Sequence, residues 1–443
     1  MRGVLACWLL ALASAAAGWP LALAPQEAEL TPQQREENLA SFKLVWETIR
    51  DKHWDPKPNG LDWEAVRAEF APKFEQAKTK EECRRLLSQM LDKLEQSHFG
   101  IVPADVYESL DQPERASSGK PAREGNGQPG FEVRVVKEQV LITQVDADGP
   151  AAKAGIKPGW LVEAIDGEEL APIVRKLLDS KQALNHREFV LIRAMNGRLR
   201  GAVGDTLKLR LRDGDEQVKE LDVPLAAPRG KLARFGNLPP LHVRCDVRTL
   251  PGEIGYVHLT MFFDPPGVMP RIIKAVRDHR QAAGFILDLR GNPGGIGFMA
   301  VGIGGWFVKE PNLKLGTMFT RDGKLNFVLN PQDEPFTGPL AILVDAASAS
   351  TSEILAGGLK DLGRARVFGT RTAGAALPSM FIRLPNGDGF QYAFANYLSV
   401  GGKPLEGEGV TPDVEVWPER AALLAGKDPV LEAAVQWILS QKP

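Results

Sequence analysis

Apolar residues recur at helical spacing through residues 30–96. Phe42, Val45, Trp46 and Ile49 share one face, and Pro56-Lys57-Pro58-Asn59-Gly60 breaks the pattern before it restarts at Asp62-Trp63. A third predicted helix runs from Glu81 to Leu94, with Leu86, Leu87, Met90, Leu91 and Leu94 as its core stripe. It ends at Gln96-Ser97-His98-Phe99-Gly100. Residues 111–129 hold almost nothing apolar and predict a linker. Short strands follow, opening at Gly130-Phe131-Glu132-Val133 and continuing at Val140–Val145, with Leu207–Leu211 and Val218–Val223 closing the set. Between them stands the small-residue stretch 149–159. Residues 171–200, with Asn185-His186-Arg187, form an insertion without a legible role. From Gly252 onward strands and helices alternate: strands at 254–259, 284–289 and 340–344, and helices at 271–279 and from Ile354. That alternation predicts an α/β core.

Two loops of this core carry candidate chemistry. The strand at 284–289 runs into Arg290-Gly291-Asn292-Pro293-Gly294-Gly295-Ile296-Gly297. Glycines there let the backbone approach a ligand closely. The loop lacks the Gly-Lys-Ser/Thr ending of a phosphate loop, which weighs against a nucleotide. The strand at 340–344 runs into Asp345-Ala346-Ala347-Ser348-Ala349-Ser350-Thr351-Ser352-Glu353 and then a helix. A serine at that helix N-terminus suits a nucleophile whose oxyanion the following N–H stabilises. The same four residues, Ser350 to Glu353, also read as a helix-capping box. His98, at a helix end, reads on its own as a cap or surface residue.

Composition narrows the class. The chain has 443 residues, enough for two or three domains, with 44% hydrophobic and 25% charged residues and a formal net charge of -2. That balance gives no reason to expect nucleic acid or anionic membrane as a partner. Arg2 followed by an apolar run from Val4 to Ala17 predicts a secretory signal peptide, with cleavage near Ala17 and a poorer site at Ala22-Leu23-Ala24. The run is too short to span a membrane comfortably. Export to the periplasm or the extracellular space follows as an expectation. Cys7 leaves with the leader; Cys83 and Cys245 are expected as two buried free thiols rather than one disulfide. No spacing suggests a metal site, and no cofactor is expected.

The segment from Gly130 through Gly149-Pro150-Ala151-Ala152-Lys153-Ala154-Gly155 to Ile165-Asp166-Gly167 resembles a PDZ domain of the bacterial protease type. That implies a groove at Gly130, Phe131, Glu132 and Val133 that holds a peptide's C-terminal carboxylate. Phe285-Ile286-Leu287-Asp288-Leu289-Arg290-Gly291-Asn292-Pro293-Gly294-Gly295, the turn 344–353 and Gly407-Glu408-Gly409-Val410-Thr411-Pro412-Asp413 are similar to motifs of the C-terminal processing (tail-specific) peptidases. The resemblance implies a serine endopeptidase with a crotonase-like αβ core and this division: 1–24 leader, 25–110 helical region, 111–129 linker, 130–228 PDZ domain, 229–443 peptidase core. It places the nucleophile at Ser350 and the oxyanion hole at Thr351 with Gly294 or Gly295.

The family's lysine base falls on Ala375, in Thr372-Ala373-Gly374-Ala375-Ala376. An alanine takes no proton. Ser97-His98 resembles the Ser-His pair of the tricorn protease core, which implies His98 as base with Ser97 and a glutamate, Glu406 before Glu408, as its partners. Lys360 is expected to face solvent. An unperturbed imidazole titrates near pH 6.5, so activity is expected to rise through roughly pH 6–7.5. Protein or peptide substrates are implied. The competing expectation is a silent binding protein of the same fold, like the interphotoreceptor retinoid-binding proteins.

Overall fold

The computed structural model describes residues 28–104, 126–179, 184–234 and 240–441. The expected leader and residues 111–125 of the linker lie outside them.

The N-terminal helices span Pro32–Lys52, Trp63–Gln76 and Lys80–Asp92, each opened by a side-chain cap from Thr31, Asp62 or Thr79. Their predicted stripes are buried together, and Trp46 and Trp63 each donate an indole N–H to the other's carbonyl at 3.0 Å. This region is no independent domain. Leu384, Phe390 and Tyr392 from far along the chain complete its core. Arg84 forks onto the buried Asp388, at 2.8 Å for the shortest contact. The strand Gly100–Val102 then pairs antiparallel with Gly389–Ala393. Ser97 and His98, just before that strand, are thereby fixed against the core.

The inserted module is a twisted antiparallel sheet in the order Phe131–Val136, Gln139–Val145, Leu161–Ile165, Thr206–Arg212, Val218–Pro224. Phe131, Val133 and Val135 point into its core with Ile142, Leu207 and Leu209. Gly130 takes φ +81° where its Cα faces Gly149 and Pro150, so a side chain there meets the proline ring. The unreadable insertion is two helices, Leu170–Leu178 and Leu184–Arg198. We call the second the roof helix, because its far face covers the core.

In the core, six strands run in the order Cys245–Leu250, Ile254–Leu259, Gly284–Asp288, Leu340–Val344, Arg366–Gly369, Val414–Glu415. The first is antiparallel and the others are parallel. Both faces are covered, as continuous apolar strands require. Val257, Leu287 and Ile342 face the helices Pro265–Asp278, Phe298–Gly304 and Thr351–Asp361, while Tyr256, Ile286 and Leu343 face Pro429–Ser440. The fold is α/β. One helix begins earlier than its apolar pattern suggests, at Pro265 rather than Arg271. Prolines in a first turn lose no helical hydrogen bond, so Pro265 and Pro266 open the helix instead of breaking it.

Candidate active site

The strand Leu340–Val344 is wholly buried and delivers the chain to a turn tied down by its own small polar residues. Ser348 Oγ donates to the Leu289 carbonyl at 2.8 Å, and Ser352 Oγ to the Asn292 carbonyl at 2.9 Å. Both bonds join the turn to the Gly-rich loop. Ser350, between them, is only partly buried and has φ +53°, ψ -116°. A side-chain residue pays for that backbone conformation, and the surroundings must hold it there. Its N–H donates to the Ala375 carbonyl at 2.8 Å and to Glu353 Oε2 at 2.9 Å. The Ser350–Glu353 pair forms the expected capping box, the Glu353 carboxylate returning to Ser350 N–H, while Glu353's own N–H also reaches the Ser350 carbonyl at 2.8 Å.

Glu353 does more than cap. Its buried carboxylate also accepts from Thr372 Oγ1 at 2.6 Å and from the N–H groups of Gly374 at 2.8 Å and Ala375 at 3.1 Å. Burial pushes it up to about 7, although these donors pull the other way. The sequence pattern marks Glu353 only as a capping residue, because its partners in 372–375 lie in another loop.

The glycine pair meets the turn from the opposite side. A Cβ on Gly294 would stand 2.7 Å from Ser350 Cβ and 2.9 Å from Thr351 N. Gly294 N–H is committed to Asn292 Oδ1 at 2.9 Å. That removes one of the two expected donors. The Gly295 N–H has no partner among the described residues, and the Gly295 carbonyl accepts from Thr351 Oγ1 at 2.9 Å. Thr351 opens its helix, where backbone N–H groups lack intrahelical partners. Among the described residues, Gly295 N–H and Thr351 N–H are thus unpaired donors on the two loops that meet at Ser350, with Gly294 making room for the turn.

Ser97, His98 and Glu406 come together although 309 positions separate the first from the last. Glu406 accepts from Ser97 N–H and from Ser97 Oγ, both at 2.8 Å, and from Ala376 N–H at 2.9 Å. Ser97 Oγ lies 2.7 Å from His98 Nδ1. Since the hydroxyl proton goes to Glu406, Nδ1 must carry the proton it shares with Ser97, which leaves Nε2 with a free lone pair. His98 has φ +63°, a second strained residue at the site. No hydrogen bond joins its ring to Ser350 here; Ser350 bonds Ala375 directly, and His98 reaches Ala376 through Ser97 and Glu406. Glu408 is exposed and takes no part.

Two expectations need correction. The imidazole is not unperturbed: burial, with Arg193 of the roof helix adding to it, pushes His98 down to about 4. Lys360 does not face open solvent but pairs with Asp413 at 3.2 Å and donates to the Thr411 carbonyl at 2.5 Å. Ala375 is buried against Ala349 and Ala373, with Phe189 of the roof helix packed on all three. Ile192, one turn on, packs on Ala346 and Ala347. The roof helix thus lies along the Ser350 turn.

The four groove candidates sit apart from this cluster. Phe131 and Val133 are in the module's own core, and Gly130 borders a shallow hollow beside Gly149 and Pro150. Glu132 reaches the site indirectly. Its carboxylate contacts Arg134 at 3.3 Å, and Arg134 Nε donates to Asp345 Oδ2 at 2.6 Å at the head of the turn. Asp345 Oδ1 in turn accepts from Gly291 N–H at 2.9 Å and Ala347 N–H at 3.0 Å. Cys83 and Cys245 are buried free thiols. Among the described residues no group of His, Cys, Asp and Glu has metal-holding geometry, and no helix is long and apolar enough to cross a membrane.

Residues 253–416 match the peptidase family S41 model, and residues 34–92 match the tricorn protease C1 domain. A carboxy-terminal-processing protease of Bartonella bacilliformis is 27% identical over 328 residues, covering 71% of this chain and 67% of its own. The carboxyl-terminal-processing protease of Picosynechococcus sp. is 27% identical over 391 residues, covering 85% of this chain and 82% of its own. The solved photosystem II D1 C-terminal processing protease shares the fold, with a TM-score of 0.58 at 21% identity over 93% of this chain and 98% of that one. With these relatives and a strand–turn–helix serine inside the matched segment, the protein is a serine-type peptidase, a hydrolase whose core matches peptidase family S41.

Proposed function

We propose that the protein is an exported serine endopeptidase in which His98, not a lysine, is the general base. The observation that carries this reading is the Glu406–Ser97–His98 chain of hydrogen bonds ending in an unprotonated Nε2, beside a strained serine and with Ala375 in the lysine position. In the proposed reaction His98 Nε2 takes the Ser350 Oγ proton while Oγ attacks the peptide carbonyl carbon. The carbonyl electron pair becomes an oxyanion between Thr351 N–H and Gly295 N–H. Collapse expels the amine, which receives its proton from His98. Water then repeats the sequence in reverse on the acyl-enzyme, leaving a carboxylate product and free Ser350. Ser97 and Glu406 position the imidazole and stabilise its charged form. The inserted module is read as a PDZ domain that takes substrate chain ends at Gly130, Phe131, Glu132 and Val133, and the N-terminal leader as the export signal.

Fluorophosphonate labelling of the purified mature protein tests the chemistry. Wild type is expected to label at Ser350 and to hydrolyse peptides, and Ser350→Ala to do neither. Ser348→Ala and Ser352→Ala lose loop-tying hydroxyls but should still label. A Ser350→Ala protein that keeps turnover would move the nucleophile elsewhere. Full turnover by His98→Ala would remove the histidine base.

A further inference from the structure

A second crevice lies between the inserted module and the core, on the far side of Asp345 from Ser350. It encloses about 450 Å³. His258, Asp288, Val344, Thr370 and Val416, which line it, stand at or just past the carboxyl ends of the five parallel strands. Open α/β sheets bind ligands along that edge. With strands about 4.8 Å apart, the crevice runs roughly 19 Å from the strand of His258 to that of Val416. The module closes it from above with Arg134 and with Glu188 of the roof helix.

Most charges in its walls are already spent. Arg134 is held by Asp345, Arg290 by Asp288 at 2.6 Å and Asp428 at 2.9 Å, and Asp246 by Arg244 at 2.8 Å. Three groups make no hydrogen bond or ion pair among the described residues. His258 is 7% exposed, and its ring has no hydrogen-bond partner among the described residues. Its neighbour across the strand pair is Asp288, with which it interacts electrostatically, so its ring nitrogens face the crevice beside an acidic group. Arg248 stacks over Tyr256 at 4.3 Å and has no carboxylate partner among the described residues. Glu188 has neither an ion pair nor a hydrogen bond there; burial pushes it up to about 7, and its charged neighbours are Arg187 beside it on the roof helix and Glu415 on the last strand. Asp246 faces His258 and Arg248 faces Tyr256 across the first strand pair. Arg248 and His258 therefore share one end of the crevice, and Glu188 lies toward the other.

We propose that this crevice is a second binding site, for a short extended peptide with both termini free, its carboxylate at Arg248 and His258 and its ammonium at Glu188. At about 3.3 Å per residue, roughly 19 Å takes five or six residues. A free amino acid is too short to reach both ends. A cut chain end belongs to this class, and only that identification of the source rests on the peptidase reading.

The test is calorimetric titration of the full-length Ser350→Ala protein with the pentapeptide Gly-Ala-Leu-Ala-Ala in free, N-acetylated and C-amidated forms. Each block is expected to weaken binding about tenfold, through loss of one charge-assisted contact. Arg248→Gln should erase the amidation penalty and keep the acetylation penalty. Glu188→Gln should do the reverse, with both variants checked as folded by circular dichroism. No binding at millimolar peptide, or blocks without effect, would overturn the proposal. So would an amidation penalty that survives Arg248→Gln, since the carboxylate would then be read elsewhere, as at Gly130–Val133. Because the nucleophile is absent from every arm, a failed peptidase assay on wild type leaves this result untouched.

Discussion

His98 at φ +63° and Ser350 at φ +53° both occupy backbone that favours glycine, and each is fixed by one neighbour close in sequence and one far away. For Ser350 these are the Ala375 carbonyl and Glu353; for His98 they are Ser97 and, through it, Glu406. All four candidates were named from the sequence by their resemblance to family motifs, His98 reading on its own only as a helix-end residue. Sequence alone missed the electrostatics, because Arg193 lies in an insertion with no pattern. With His98 pushed down to about 4, the imidazole is neutral, and so free to accept a proton, throughout the physiological range. The acid limb of kcat/KM should therefore have its midpoint near pH 4–5, below the 6–7 of a solvated imidazole. The sign for stability is set by the same shift. The unfolded chain takes the proton first as pH drops below about 6.5, so stability falls from there towards pH 4. His98→Ala should cost at least about 10³-fold in kcat. A pH–rate profile with its midpoint at 6–7 would show that His98 is solvated during turnover.

At the scale of elements, the site depends on three loops being tied together more than on any one helix. The turn 345–350, the Gly-rich loop and the 372–376 stretch meet at Glu353, Asn292 and Asp345. The periodicities that announce strands and helices say nothing about such cross-loop bonds, which explains why the elements were legible and their fastening was not. Proline was the other blind spot, since a breaker and a helix opener look alike until the chain direction is known. Glu353 is the heaviest of these joints, with four donors converging on two oxygens. Glu353→Gln keeps the shape but turns an NH₂ group towards two of those donors. We expect a loss of about 2–3 kcal/mol in unfolding free energy and a larger proportional loss in kcat than in KM. Chemical denaturation with parallel kinetics measures both. Unchanged stability would mean that the carboxyl is already protonated and donates into the network.

For the whole molecule the question is what holds the module over the site. Residues 111–129 read as a linker, and the module that follows is strapped to the core by residues near the C-terminus. Arg420 of the short helix Arg420–Leu424 donates to the carbonyls of Gly159 at 3.1 Å and Asp213 at 2.6 Å and pairs with Glu216. Leu424 fills the space left by Gly159 and Gly214, and Leu423 packs on Leu141 and Leu161. Asp146 adds ion pairs to Arg244 at 3.0 Å and Arg229 at 3.2 Å on the core side. No sequence pattern marks these contacts, because a strap needs only a few residues that match a surface built elsewhere. The strap keeps Phe189, Ile192 and Arg193 on the Ser350 turn, and Arg193 helps to depress the His98 pKa. Loosening it should show in the chemistry. The double variant Arg420→Ala, Leu424→Ala removes two carbonyl contacts, an ion pair and a packed side chain without touching the site. Amide exchange over 184–198 should accelerate while the core strands stay protected. As water and substrate gain access, turnover of a short peptide should rise severalfold, and the acid limb should move from near 4 towards 6.5. A faster roof helix with an unmoved limb would show that the His98 environment comes from the core alone.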